Sequence, residues 1–192
     1  MRRRTLLQAL ALLAPISAGG FTLLPFARRA DAIGGILPQS NQPAPDFSLL
    51  GISPGASGRG VETRVQLADF RGSWLVLYFY PRDFTGGCTL EARGFQRDLA
   101  SFRAAGAAVV GISADDPDSH AEFCSSEGLA FPLLSDPAGK VSQAYGSWIA
   151  PFSQRHTFLI DPTGVVRASW SAVRPSGHSS EVLATLQGLQ AG

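Results

Sequence analysis

The sequence predicts an α/β domain: a central mixed β-sheet flanked by helices, with a β-hairpin extension at its N-terminal side. Three observations carry this. The run WLVLYFY at 74–80 is seven consecutive apolar or aromatic residues, too short and too rich in β-formers for a helix, so it reads as a central strand buried on both faces. Ala92, Phe95, Leu99 and Phe102 then recur at spacings of three, four and three, which lays one apolar stripe along a helix. Beyond them strand-like and helix-like segments alternate to the C-terminus.

Taken in order, DFSLL (46–50) and VETRVQL (61–67) predict two short strands, and GISPGASGRG between them has the composition of a loop. Together they make the hairpin. Pro81 ends the central strand, and the first helix runs from about Cys88 to Ala105, stopped by Gly106. AAVVGIS (107–113) is the next buried strand. Asp115 and Asp116 favour the start of a second helix, which opens at Pro117 and runs through Glu127 to Gly128. FPLLSD (131–136) predicts a short strand and 138–145 a brief helix. RHTFLI and VVRASW flank the turn DPTG at 161–164, a hairpin signal, and the last helix covers about Ser179 to Leu189. Crossover helices followed by a closing hairpin give a thioredoxin-like layout. Trp148 and Phe152 fall between elements and read as a loop covering the core.

The chain has 192 residues, 45% of them apolar and 16% charged, enough for one domain with a real core. Sixteen basic against fifteen acidic side chains give a formal charge of +1, so nothing in the overall charge calls for nucleic acid or an anionic membrane. The N-terminus is different. Three arginines precede an apolar run from Leu6, and no charged side chain follows until Arg28. Arg3-Arg4-Thr5-Leu6-Leu7 resembles a twin-arginine export signal, and Ala30-Asp31-Ala32 offers an A-x-A cleavage site. Residues 1–32 are therefore expected to be a cleavable export signal, 33–42 a linker or arm, and 43–190 the folded domain. Export places the protein in the periplasm or in the lumen of a photosynthetic (thylakoid) membrane, with membrane contact only through the signal segment. Two cysteines in such a compartment are able to pair.

Cys88 falls in the first turn of a helix that leaves a buried strand, where unpaired backbone N–H groups and the helix dipole favour a thiolate. Gly86 and Gly87 remove side chains beside it, and Thr85 supplies a hydroxyl that both donates and accepts. From spacing alone the segment reads equally well as a reactive thiol or as a buried structural cysteine with Thr85 as a helix cap.

Pro81, Thr85 and Cys88 stand as P-x-x-x-T-x-x-C, which resembles the active-site motif of peroxiredoxins. YFYPRDFTGGCTLEA, FPLLSDPAGKVSQAYG (131–146) and RHTFLIDPTGVVR (155–167) resemble the bacterioferritin comigratory protein, or peroxiredoxin Q, branch in order and spacing. The likeness spans residues 43–188. It implies a thiol peroxidase that reduces hydrogen peroxide and organic hydroperoxides, needs no cofactor or metal, and is recycled by thioredoxin or a similar dithiol as a monomer. By the resemblance Cys88 is the peroxidatic cysteine, Thr85 holds the peroxide, Pro81 shields the site, Arg155 is the active-site arginine and Glu91 orients it. Many members of the branch carry a second thiol five residues after the first, where this chain has Arg93. Other members carry it on the next helix, which makes Cys124 the expected resolving cysteine. Because both cysteines sit on helices, their union calls for local unwinding. A small buried apolar role for Cys124 is the alternative.

Two other readings remain at the level of sequence. One is an exported thioredoxin-like domain without catalysis, stapled by a Cys88–Cys124 disulfide. The other, a disulfide oxidoreductase, lacks a C-x-x-C. His120, His156 and His178 show no metal-ligand spacing. His120 and His178, at or near helix starts, are expected to cap or to be exposed, and His156 to alternate away from Arg155 along its strand.

Overall fold

A computed structural model describes residues 31, 32, 34–55 and 60–192. The expected export signal thus lies outside the described residues, apart from Asp31 and Ala32. Those two, β1 (Asp31–Ala32), pair antiparallel with β2 (Gly35–Ile36). The hairpin follows as β3 (Ser48–Pro54) and β4 (Gly60–Gln66), and a single 3-10 turn (Leu67–Phe70) leads into β5 (Trp74–Phe79). Then come α1 (Gly86–Ala104), β6 (Ala107–Ser113), α2 (Pro117–Glu127), β7 (Leu133–Ser135) and α3 (Lys140–Ala144). The chain ends with β8 (Trp148–Ile149), β9 (Phe152–Ser153), β10 (His156–Ile160), β11 (Val166–Trp170) and α4 (His178–Ala191).

The main sheet runs β11-β10-β5-β6-β7-β3-β4. β5, β6 and β7 are parallel neighbours, whereas β10 is antiparallel to β5 and β11, and β3 is antiparallel to β7 and β4. This is the mixed sheet that the order of elements predicts. Side chains of β5 and of Tyr80 just after it alternate between two cores: Val76, Tyr78 and Tyr80 face α1, α2 and α4, while Leu75, Leu77 and Phe79 face α3 and the N-terminal segment. Burial on both faces is why the central strand reads as a continuous apolar run rather than an alternating one.

Two segments depart from expectation. GISP, read as the start of a loop, is the second half of β3, because Gly51 and Ile52 pair with Leu134 and Leu133 of β7. The glycine is a packing residue: a Cβ there would collide with the carbonyl oxygen of Leu133. Trp148 and Phe152, read as loop, lie in the two-residue strands β8 and β9, which pair across the cis Ala150–Pro151 bond. Residues 37–45 are held against the sheet. Leu37 is buried, Asn41 and Gln42 exchange backbone bonds with Val166, and Ala44 N–H donates to the Gly164 carbonyl.

Helix limits follow their chemistry. Asp116 caps α2 by accepting from Ser119 N–H at 2.8 Å, Pro117 occupies the first turn, and Gly128 ends the helix in the left-handed region at φ 63°. In α1 the predicted stripe is buried throughout: Ala92, Phe95, Leu99 and Phe102 are each at most 4% exposed. Burying the three large ones, Phe95, Leu99 and Phe102, stabilises the fold by about 1.5–3 kcal/mol each.

Candidate active site

The site forms where β5 hands over to α1. Pro81 ends the strand, Arg82 to Thr85 turn the chain, and α1 begins at Gly86 with Cys88 in its first turn. The thiol is 1% exposed and free. Thr85 is the N-cap residue of α1, yet its side chain makes no capping bond. Its hydroxyl lies 2.7 Å from Cys88 Sγ and 3.1 Å from the Arg82 carbonyl oxygen. With a single proton to give, it donates to the sulfur when that is a thiolate, and to the carbonyl when the thiol's own proton points at its oxygen.

Arg155 stands just before β10 and reaches back over the start of α1. A Cβ on Gly87 would lie 2.6 Å from its Nη2, so the missing side chain makes room for a guanidinium one residue before Cys88. Gly86, by contrast, faces open space. Arg155 Nη1 donates to Glu91 Oε2 at 3.0 Å. Glu91 is 1% exposed, one turn into α1, and its Oε1 has no partner among the described residues. Burial pushes its carboxyl up to about 7, against the pull of Arg155. Pro81 and Arg155 line a cleft of about 250 Å³ together with Gln154, His156, Ala172 and Val173. Of the five residues that the sequence singles out at this site, Thr85 meets Cys88, Arg155 meets Glu91 and lies over Gly87, and Pro81 shares the cleft with Arg155, whereas Cys88, Thr85 and Glu91 do not line that cleft.

Cys124 lies elsewhere. It sits in the last turns of α2, 8% exposed, in the same apolar core as Cys88. It lines a separate cleft of about 270 Å³ with Ile52, Pro54, Leu129 and Ala130, which shares no residue with the first. Burial, with the Asp83 carboxylate, pushes its thiol up to about 12. Arg93 points to the neighbouring helix and pairs with Glu127 at the end of α2.

The histidine expectations need correction. His120 neither caps nor meets solvent: it is 0% exposed, with Nδ1 2.9 Å from Asp83 Oδ2. His178 opens α4 but is 3% exposed, with Nε2 2.8 Å from Thr157 Oγ1 and its ring edge-on to Phe95 and Trp170. Burial lowers its pKa, opposed by Glu181. The sequence reading missed Asp83, a buried carboxylate in the turn between Pro81 and Thr85. No local signal marks it, because apart from Tyr80, three positions back, its side-chain partners come from α2, 36 and 37 positions away.

The chain matches the AhpC/TSA family model over residues 40–169. It is 39% identical to peroxiredoxin Bcp of Xanthomonas campestris over 155 residues, covering 76% of this chain and 92% of that one. To peroxiredoxin Bcp of Bacillus subtilis it is 36% identical over 154 residues, covering 76% and 93%. A chloroplastic peroxiredoxin Q of Populus jackii is 40% identical over 129 residues, covering 65% and 61%. Among solved structures, X. campestris peroxiredoxin Q superposes with a TM-score of 0.67 at 37% identity, covering 74% of this chain and 90% of that chain. Another, of the bacterioferritin comigratory protein of the same organism, is described as giving insight into alkyl peroxide reduction. Serine variants of two cysteines of X. campestris peroxiredoxin Q have also been solved, and those two cysteines lie 36 positions apart, as Cys88 and Cys124 do. With a family model over most of the chain, and relatives above 35% identity matched over nearly their whole length, this chain belongs to the AhpC/TSA family as a peroxiredoxin of the Bcp and peroxiredoxin Q group, a peroxidase.

Proposed function

We propose that the protein reduces hydrogen peroxide and organic hydroperoxides through a sulfenic acid on Cys88, that Cys124 resolves this to an intramolecular disulfide, and that thioredoxin or a similar dithiol restores both thiols. The observation that carries the reading is the surroundings of one sulfur: Cys88 in the first turn of α1, the Thr85 hydroxyl 2.7 Å from it, and Arg155 held over Gly87 by Glu91. In the first step the Cys88 thiolate attacks the terminal peroxide oxygen and the O–O bond breaks. The leaving hydroxide or alkoxide takes up a proton to become water or alcohol, and Cys88 becomes S–OH. In the second, Cys124 sulfur attacks Cys88 sulfur, water leaves, and the disulfide forms. The dithiol then returns two electrons.

Thiolate formation alone accounts for little of the rate. A free thiol with a pKa of about 8.5 is roughly 3% ionised at pH 7, so full ionisation gains about thirtyfold, and the accompanying loss of nucleophilicity takes back about tenfold. The remaining acceleration falls to donors aimed at the breaking O–O bond, where negative charge grows on the leaving oxygen. On this reading Thr85, Arg155 and the N–H of Cys88 supply those donors, and Pro81 shields the site.

Cys124 as resolving thiol is supported by its place in the same core and by the shared spacing with the X. campestris cysteines. The protein works as an exported monomer, with residues 1–32 as its twin-arginine signal, in the periplasm or the thylakoid lumen. A chloroplastic relative is compatible with the second. Rapid mixing of reduced protein with excess hydrogen peroxide in the presence of reduced thioredoxin tests the roles. Cys88→Ser should abolish peroxide consumption, while Cys124→Ser should complete one fast turnover and then stall. Equal loss in both variants, or in neither, contradicts the assignment.

A further inference from the structure

Asp83 is 4% exposed in the turn between β5 and α1. Its Oδ1 accepts from the Tyr80 hydroxyl at 2.8 Å, and its Oδ2 accepts from Ser119 Oγ at 2.8 Å and His120 Nδ1 at 2.9 Å. Its own N–H donates at 2.9 Å to Asp115 Oδ2, which also accepts from Ser113 Oγ at 2.7 Å. A carboxylate is acceptor only, so His120 Nδ1 carries the proton, and three donors converge on one buried charge. Ser119 and His120 lie in the first half of α2 and Ser113 ends β6. The turn is therefore bolted to the elements around it rather than folded on itself.

It needs such an anchor. Phe84, between Asp83 and Thr85, has φ 57°, a conformation that a bulky side chain adopts only when its surroundings impose it. The Phe84 ring is 53% exposed and touches the protein edge-on at Phe123, with centroids 5.1 Å apart. Thr85 is the next residue, and its hydroxyl meets the Cys88 sulfur.

We propose that Asp83 is a positioning residue for the peroxidatic centre: by fastening the turn to Ser119 and His120 of α2, it sets where the Thr85 hydroxyl stands relative to the Cys88 sulfur. This rests on the reading of Cys88 as the peroxidatic thiol. It makes one helix serve both cysteines, since α2 also carries Cys124.

The test is a double-mutant cycle on the rate of hydrogen peroxide reduction by reduced protein, with the folded fraction of each variant checked by circular dichroism. Asp83→Asn keeps the shape of the side chain and removes its charge, and should slow the reaction about tenfold. In a Thr85→Val background the same change should cost less than about twofold, because the group it positions is gone. A merely structural role would lower both backgrounds by the same factor, and that result overturns the proposal, as does a wild-type rate in Asp83→Asn. If Asp83→Asn fails to fold, Ser119→Ala removes one donor only. It should slow the reaction about threefold in the wild-type background and not at all with Thr85→Val, and equal factors in both again overturn the proposal. A wild-type protein that leaves peroxide unconsumed would overturn the functional reading and this proposal together. Peroxide consumption with no coupling between Asp83 and Thr85 would overturn this proposal alone.

Discussion

Arg155 is half-buried beside the start of α1, and its partner Glu91 is closed off from water. That arrangement fixes a cation over Gly87, one residue before Cys88, instead of leaving it to swing in solvent. If its task is to stabilise charge on the leaving oxygen, Arg155→Ala should slow peroxide reduction by about a hundredfold or more, on the scale of losing one oxyanion-type donor. The thiolate fraction of Cys88, followed by its ultraviolet absorbance against pH, should fall by much less. Rate and thiolate fraction falling in proportion would reduce the arginine to a pKa effect. The contact between Thr85 and Cys88 could be expected from three positions at the start of one helix, whereas Glu91 and Arg155, 64 positions apart and joined by a hydrogen bond, were singled out only through the resemblance. The pairing of His120 with Asp83 was not legible, since a histidine inside an amphipathic helix looks the same whether it meets water or a carboxylate brought in by the fold.

At the scale of elements, α2 is fastened to the α1 side unequally. Its first half holds the buried Asp83 carboxylate, while its last turn is held by the pair of Arg93 with Glu127, in which Arg93 is largely solvent-exposed. Breaking a buried charged cluster is far costlier than breaking a surface pair, so the helix should open from its Cys124 end. On the proposed resolution by Cys124, opening also serves the chemistry: burial pushes the Cys124 thiol up to about 12, and reaching water removes that penalty on its thiolate. Arg93→Ala should therefore speed disulfide formation about two- to fivefold without changing the peroxide step, and added salt should speed the wild type but not the variant. Unchanged kinetics would mean that the opening lies elsewhere. The limits of α2 could be read from Asp116, Pro117 and Gly128, whereas β8 and β9, at two residues each, are too short to leave a periodic signal.

Over the whole molecule, buried ionisable groups set how stability depends on pH. Glu91 holds its proton more tightly folded, up to about 7, than unfolded, near 4.5. Between those values the unfolded chain binds fewer protons, so this group makes stability fall as pH rises, with a slope of up to about 1.4 kcal/mol per pH unit, and the loss is complete above about 7. Asp98 acts in the opposite sense at lower pH: hydrogen bonds from Arg97, Ser179 and Ser180 bring its carboxyl to about 2, so it stabilises above its unfolded value and that contribution is lost as pH falls through 2. Urea titrations of wild type and Glu91→Gln from pH 4.5 to 8 should diverge, with the variant gaining relative stability as pH rises toward 7. Parallel curves would mean that the carboxyl titrates normally. The layered α/β architecture itself was legible from the apolar run at 74–80 and the helical stripe after it. The register of β3 against β7 was not, because it depends on a close approach at Gly51 that only the assembled sheet creates.

All three scales meet in the passage from Cys88 sulfenic acid to a bond with Cys124. Reduced protein mixed with one equivalent of hydrogen peroxide, quenched over milliseconds to seconds with an alkylating agent and mapped by non-reducing peptide mass spectrometry, follows both sulfurs directly. Cys88 sulfenic acid should appear first and give way to a single peptide pair joined through Cys88 and Cys124. A Cys88 that stays reduced over seconds, or a persistent sulfenic acid beside a free Cys124 thiol, would contradict this account.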